Sequence, residues 1–126
     1  MESKEANQNP NVLVVEDEPL ISEAIAGHLV DRGFRVCVVP NANEALSYLA
    51  SNPIDALFTD INLPGELDGA MLAQRARELS PELPVVYASG RATRDQFLSV
   101  SRSVFIPKPY DPDQVCTTLR RLVETP

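Results

Sequence analysis

The stretch VLVVEDEP, residues 12–19, joins an aliphatic run directly to three acidic residues and a proline. The aliphatic run is typical of a parallel strand that is buried on both faces. Proline fits the first turn of a helix, so the acidic residues fall in the connection between a strand and a helix. The stretch therefore predicts a βα unit with a polar turn at the carboxyl end of its strand.

The same alternation recurs along the whole chain and predicts five βα units. Strands are predicted at 12–15, 35–39, 55–59, 85–88 and 104–107, and helices at 19–31, 42–50, 68–79, 92–100 and 112–123. Such alternation indicates a parallel sheet with right-handed crossovers. The predicted fold class is α/β, a flavodoxin-like doubly wound five-stranded parallel sheet of order 2-1-3-4-5 with helices on both faces.

Two of the predicted helices carry specific expectations. The helix at 68–79 is expected to bury Met71, Leu72 and Leu79 and to expose Arg77 to solvent. The helix at 92–100 is the least regular, because residues 91–102 contain few large apolar side chains among arginines, serines and threonine.

Polar residues of different chemical kinds follow four of the predicted strands. Glu16 and Asp17 follow the first strand, Asp60 the third, Ser89 the fourth and Lys108 the fifth. Ligands of open α/β sheets bind outside the carboxyl ends of the strands, so these side chains are expected to converge. Carboxylates, a hydroxyl and an ammonium suit a divalent cation and a phosphoryl group, with Asp60 as the carboxylate nucleophile.

Each of these residues also has a purely structural alternative. Acidic residues are favoured at a helix N-terminus by the helix dipole, which accounts for residues 16–18. Asp60 is equally suited to capping a turn, Ser89 to capping a helix, and Lys108 to a loop between two prolines. The convergence favours the site, because clustered carboxylates repel one another unless a cation offsets them. Magnesium is the simplest such cation.

The composition is that of one acidic domain. The chain has 126 residues and a formal net charge of −7, which argues against a general nucleic-acid-coating function. Cys37 and Cys116 have no metal-ligand spacing and are interpreted as reduced residues in or near the core. His28 is interpreted as a half-buried helix residue.

The ends of the chain predict its organisation and location. Residues 1–10 are polar and are predicted to be a disordered tail, with one domain at 11–124. A secretory or membrane-spanning segment is not evident in the sequence, so a cytoplasmic location without membrane partners is expected. The last predicted helix ends close to Pro126, and the expectation is a chain without an effector domain.

Four motifs together resemble the response-regulator receiver domain of two-component signalling, of the CheY-like kind. They are VVEDEP at 14–19, TDINLPG at 59–65 followed by DG at 68–69, ASG at 88–90, and PKPY at 107–110. The resemblance covers about residues 11–123. The combination of ASGR and PKPY resembles small stand-alone receivers.

The resemblance implies roles for individual residues. Asp60 is the phosphoacceptor, and a histidine kinase or phosphotransfer protein is the phosphodonor partner. Mg²⁺ is the cofactor, held by Asp17 and Asp60, by Glu16 through water, and by the backbone carbonyl of Asn62. The phosphoryl oxygens are bound by Ser89 and Lys108, and the Lys108–Pro109 bond is expected to be cis. The output is expected to pass to an unidentified protein, not to nucleic acid.

The resemblance also implies a switch formed by Ser89 and Phe105. Phenylalanine stands at 105 where many members have tyrosine. A hydrogen bond from a ring hydroxyl is therefore missing, and a change of state at this position can alter only the packing of the ring. The stretch from Ser89 to Lys108 is shorter than usual and the turn from Gly65 to Asp68 is longer, which makes the helix at 92–100 atypical.

Two other functions are considered. One is a binding module of the same fold that phosphate does not control. The other is a phosphatase with an aspartyl-phosphate intermediate, which needs a second acid where this chain has Asn62. The receiver interpretation instead predicts no catalysis beyond the chain's own phosphorylation and dephosphorylation.

Overall fold

The computed structural model describes residues 9–90 and 99–124, which contain a five-stranded parallel sheet. The strands are β1 (Asn11–Val15), β2 (Arg35–Val39), β3 (Ala56–Asp60), β4 (Val85–Ser89) and β5 (Ser103–Pro107). Their order in the sheet is β2-β1-β3-β4-β5, and every pairing is parallel. The predicted fold class and strand order are therefore confirmed.

Four helices connect or follow these strands within the described ranges. They are α1 (Pro19–Asp31), α2 (Ala42–Ser51), α3 (Gly69–Leu79) and α4 (Pro112–Glu124). The N-caps of α2 and α3 have a clear local cause, because the side chains of Asn41 and Asp68 accept the backbone N–H of Glu44 and Met71. All four helices begin and end within one residue of their predicted bounds.

The remaining predicted helix, at 92–100, falls mainly on residues 91–98, which lie outside the described residues. Ser99 and Val100 are described and belong to neither a helix nor a strand. Of the predicted tail at residues 1–10, residues 1–8 also lie outside the described residues. Every helix in the described part of the chain is too short or too polar to cross a membrane.

The core lies in two layers, one on each face of the sheet. Alternate residues of each strand point to opposite faces, so Leu57 packs in one layer and Phe58 in the other. Side chains of α2 and α3 cover the first layer, and side chains of α1 and α4 cover the second. Cys116 is buried in the second layer and Cys37 is half-buried, and both are free thiols, as predicted.

The predicted orientation of α3 is partly wrong. Leu72 is buried as expected, but Met71 and Leu79 are 40% and 54% exposed. The buried stripe consists mainly of Gly69 and the alanines of the helix, which let α3 lie close to the sheet. This rotation also brings Arg77 against the protein, where its guanidinium donates to the carbonyl of Leu83 at 2.6 Å.

The register of the strands aligns their carboxyl ends. Val15 is opposite Thr59, Asp60 is opposite Ala88, and Ser89 is opposite Pro107. The residues that end or follow β1, β3, β4 and β5 therefore share one edge of the sheet.

Candidate metal centre at the carboxyl edge of the sheet

Lys108 links two acidic residues at this edge. Its Nζ donates to Glu16 Oε1 at 2.9 Å and to Asp60 Oδ2 at 3.2 Å. Its backbone N–H donates to the carbonyl of Ser89 at 2.9 Å, which fixes the residue beside β4. The Lys108–Pro109 bond is cis, as the resemblance implied.

Three carboxylates form a cluster that fits a divalent cation. One oxygen from each of Glu16, Asp17 and Asp60 lies within 4.8 Å of the other two. Glu16 and Asp60 are buried, whereas Asp17 is exposed to the solvent from which an ion enters. A set of carboxylate oxygens is the donor chemistry that Mg²⁺ requires, and a single ammonium leaves the cluster net negative.

Burial and pairing act against each other on the charges of this cluster. Burial raises the pKa of Glu16, and the hydrogen bond from Lys108 offsets part of that increase. Burial alone lowers the pKa of Lys108, but its contacts with the carboxylates of Glu16 and Asp60 outweigh burial and raise it. The lysine is therefore held as a cation beside Asp60.

Ser89 and Asn62 complete the surroundings of Asp60. The Asn62 backbone N–H donates to Asp60 Oδ1 at 3.1 Å, and its side-chain amide donates to Ser89 Oγ at 3.0 Å. Ser89 is only 1% exposed, so its hydroxyl is enclosed, and Asn62 connects it to the carboxylate of Asp60. The sequence analysis gave Asn62 one role, that of a metal ligand through its backbone carbonyl. The structure adds a hydrogen bond from its side chain to Ser89.

Gly69 supports the backbone of Asp60, a role that the sequence did not reveal. Its N–H donates to the Ile61 carbonyl at 2.7 Å. A Cβ at position 69 would overlap the carbonyl oxygen of Asp60 and lie 2.8 Å from Ile61 Cα. Because backbone atoms cannot move aside easily, only glycine fits here. The pair Asp68–Gly69 was the available signal, as an N-cap followed by a glycine inside a helix.

Beside Lys108, an apolar pocket of about 480 Å³ opens between the N-terminal half of α1 and the loop after β5. Tyr110 lines it and packs edge-on against Phe58, with 5.6 Å between ring centroids. Burial raises the pKa of Tyr110 to about 12, so the phenol is neutral at physiological pH. The pocket wall is therefore apolar up to the Lys108 side chain.

Phe105, the predicted switch residue, lies apart from this cluster. It is opposite Tyr87 in the register of β4 and β5 and packs against the core layer covered by α2 and α3. The structure thus brings Glu16, Asp17, Asp60 and Lys108 together at one edge. Phe105 lies further back along the sheet.

A doubly wound sheet with paired acids after β1, an aspartate ending β3 and a lysine after β5 defines the receiver class of domains. The family profile of the response regulator receiver domain matches residues 12–120. The chain belongs to this family, the CheY-like receivers of two-component signalling. Magnesium and an aspartyl phosphate are typical of its members.

Relatives and solved structures agree with this assignment. A putative NtrX-like response regulator of Rickettsia felis is 33% identical over 90% of this chain, and Rre1 of Synechocystis is 34% identical over 90%. The chain spans 25% of the first protein and 51% of the second. A receiver protein from Sinorhizobium medicae superposes with a TM-score of 0.87 at 30% identity, covering 94% of this chain and 97% of that one.

Proposed function

We propose that this chain is a phosphoacceptor in which Asp60 takes a phosphoryl group in a magnesium-dependent step. The donor is the phosphohistidine of a histidine kinase or phosphotransfer protein. The domain that carries this activity is residues 11–124, and the reaction takes place in the cytoplasm. The chain catalyses only its own phosphorylation and the slow hydrolysis of the product.

The observation that carries the proposal is the position of the Lys108 ammonium, which contacts Asp60 and Glu16 at once. A lysine that only neutralised a surface acid would be solvated, but the side chain of Lys108 is 19% exposed. An ammonium fixed against the acceptor carboxylate is suited to neutralise the oxygens of an incoming phosphoryl group.

The metal is expected at Glu16, Asp17, Asp60 and the Asn62 carbonyl. Support comes from the three clustered carboxylates, which repel one another and need more positive charge than one lysine provides. A bound Mg²⁺ would supply positive charge that neutralises the carboxylates and the phosphoryl oxygens.

The chemistry assigned to the chain's own residues is simple. A carboxylate oxygen of Asp60 attacks the phosphorus of the donor, an oxygen–phosphorus bond forms, and the nitrogen–phosphorus bond breaks with its electron pair returning to the imidazole. Lys108 pairs with a phosphoryl oxygen, and the hydroxyl of Ser89 turns from Asn62 to donate to another. Hydrolysis by water later restores the carboxylate.

The signal is proposed to leave through a protein partner. A phosphoryl group adds charge and acceptor oxygens beside Ser89 and Lys108, so the contacts of both residues change. The change in the positions of these residues alters the neighbouring surface, and a target protein binds one form better than the other.

Intact mass spectrometry after incubation with acetyl phosphate and Mg²⁺ tests the proposal. We expect the mass of one phosphoryl group on the wild type. None is expected on Asp60→Asn or in the presence of a chelator.

The matched control is Asp55→Asn, which removes an exposed carboxylate at the opposite end of β3. This variant should be phosphorylated like the wild type. A phosphoryl group that persists on Asp60→Asn would overturn the assignment of the acceptor.

A further inference from the structure

Residues 100–103, which lead into β5, are held by side chains from other elements. The backbone N–H of Val100 donates to the hydroxyl of Tyr87 at 3.1 Å. The hydroxyl of Ser103 donates to the carbonyl of Val100 at 2.7 Å. Both polar groups of the Val100 backbone are thus fixed by side-chain hydroxyls.

Arg77 holds the next two residues from the side of α3. Its guanidinium donates to the carbonyl of Ser101 at 2.5 Å and to that of Arg102 at 3.3 Å. Arg102 has a backbone φ of 54°, a conformation that non-glycine residues adopt rarely and that must be held by its surroundings. In the structure described, these contacts hold the segment in one defined conformation.

Tyr87 connects this segment to the phosphoacceptor edge. It lies two residues before Ser89 on β4, so both side chains are on the same face of the sheet. Its strand neighbours in register are Thr59, which precedes Asp60, and Phe105 on β5. The Tyr87 ring is fully buried, so a displacement of the end of β4 would also displace this ring.

Tyr87 has a hydroxyl, whereas its neighbour Phe105 on β5 has none. Phe105 has no hydroxyl with which to form a hydrogen bond when its surroundings change. The ring opposite it in register, that of Tyr87, has one, and this hydroxyl is bonded to Val100. Val100, Tyr87 and Phe105 pack in the same core layer.

We propose that Tyr87 is the residue that transmits the phosphorylation state of Asp60 to residues 100–103, through its hydrogen bond with the Val100 N–H. This inference rests on the proposed function, since it requires Ser89 to move toward a phosphoryl group. The proposal requires a second arrangement of the segment, in which the Tyr87–Val100 hydrogen bond seen here is lengthened or broken.

Amide NMR spectra with and without beryllofluoride and Mg²⁺, a stable mimic of a phosphoryl group on aspartate, test the inference. In the wild type, the amides of Asn62, Lys108 and Val100 should all shift when the mimic binds. In Tyr87→Phe, those of Asn62 and Lys108 should still shift, while Val100 should lose most of its response. Tyr48→Phe, which removes a hydroxyl from α2, is the matched control and should respond like the wild type.

The difference between the bound and free states separates transmission from a merely structural role. A packing effect of Tyr87→Phe would displace Val100 equally in both states and leave its response unchanged, which would overturn the inference. If Tyr87→Phe does not fold, Val100→Pro removes the same hydrogen bond from its donor side. In that variant the amide of Ser101 should lose its response, and an unchanged response would overturn the inference.

The wild-type spectra distinguish the two proposals. Shifts of Asn62 and Lys108 without any shift of Val100 would overturn the role of Tyr87 and leave the proposed function intact. A wild type in which none of the three amides shifts would overturn the proposed function and, with it, this inference.

Discussion

Two ion clusters in this molecule differ in the charge of their central group and in their burial. One has a central cation and is buried, and the other has a central anion and is exposed. In the first, the Lys108 ammonium lies between two carboxylates, those of Glu16 and Asp60, and all three side chains are at most 19% exposed. In the second, the carboxylate of Asp113 on α4 lies between His28 of α1 and Arg32, the residue that follows α1, and it is 59% exposed.

The distances alone do not distinguish the two clusters. Asp113 Oδ1 is 2.9 Å from His28 Nε2 and 2.6 Å from Arg32 Nη2, which is at least as close as the contacts of Lys108. Water screens the exposed cluster, and pairs of that kind stabilise a protein little. The buried cluster has lost its hydration, so each member depends on the others. Burial, not geometry, therefore indicates which cluster is suited to function.

The largest expected effect follows from removing the central charge of the buried cluster. Lys108→Met leaves Glu16 and Asp60 buried without their cation. We expect a loss of about 2–3 kcal/mol in the free energy of unfolding, less than the roughly 3–5 kcal/mol of a fully buried pair because the ammonium is partly exposed. Urea unfolding without Mg²⁺ measures this loss, and phosphorylation from acetyl phosphate should also disappear.

Repeating the unfolding measurement with Mg²⁺ tests whether the cluster binds a metal. Without the ammonium the carboxylates should bind Mg²⁺ more tightly, so the added ion should recover more stability in Lys108→Met than in the wild type. Arg35→Met removes an exposed cation of β2 and should leave both stability and Mg²⁺ binding nearly unchanged. Equal stabilisation by Mg²⁺ in the wild type and Lys108→Met would contradict a metal site at this cluster.

The second-largest loss of stability is expected where α3 packs against the backbone of the buried cluster. Gly69→Ala places a Cβ against the backbone of Asp60 and Ile61, and we expect about 2 kcal/mol of destabilisation from this overpacking. Gly27 of α1 has open space around its Cα, so Gly27→Ala should instead stabilise by about 0.5–1 kcal/mol. Thermal unfolding of the two variants compares them, and a Gly69→Ala protein as stable as the wild type would show that α3 can move away from β3.

The sequence predicted the buried cluster because its geometry follows from local patterns. Each apolar run marks a strand, the parallel order aligns the strand ends, and Asp60 and Lys108 must then share an edge. The contacts of Arg77 and Gly69 were not predicted, because they depend on how closely α3 approaches the sheet. Helical spacing identifies an apolar face, but it does not show that a stripe of glycine and alanine rotates the larger residues outward.

Arg77 provides an intermediate case between the two ion clusters. Its guanidinium is partly buried but bonds to neutral carbonyls, those of Leu83 and Ser101, and burial lowers its pKa. Arg77→Gln should cost about 1–2 kcal/mol, less than the roughly 1.5–3 kcal/mol of a buried charged hydrogen bond because the guanidinium is only partly buried. Arg75→Gln on the exposed side of α3 should change stability by less than about 0.5 kcal/mol, and chemical denaturation of both variants makes the comparison. Equal effects would mean that Arg77 contributes no more than a surface residue.

The exposed cluster predicts the smallest effect and a defined pH dependence. Hydrogen bonds from His28 and Arg32 lower the pKa of Asp113 in the folded state. Its stabilisation is therefore present above the pKa of the unfolded chain and is lost as the pH falls through the lower folded value. The gap in stability between the wild type and Asp113→Asn should be small at neutral pH and should shrink below about pH 4.

Asp31→Asn, at the end of α1, is the matched control, and thermal unfolding across this pH range measures both variants. If the gap for Asp113→Asn rivalled that for Lys108→Met at neutral pH, exposure would not be what separates the two clusters.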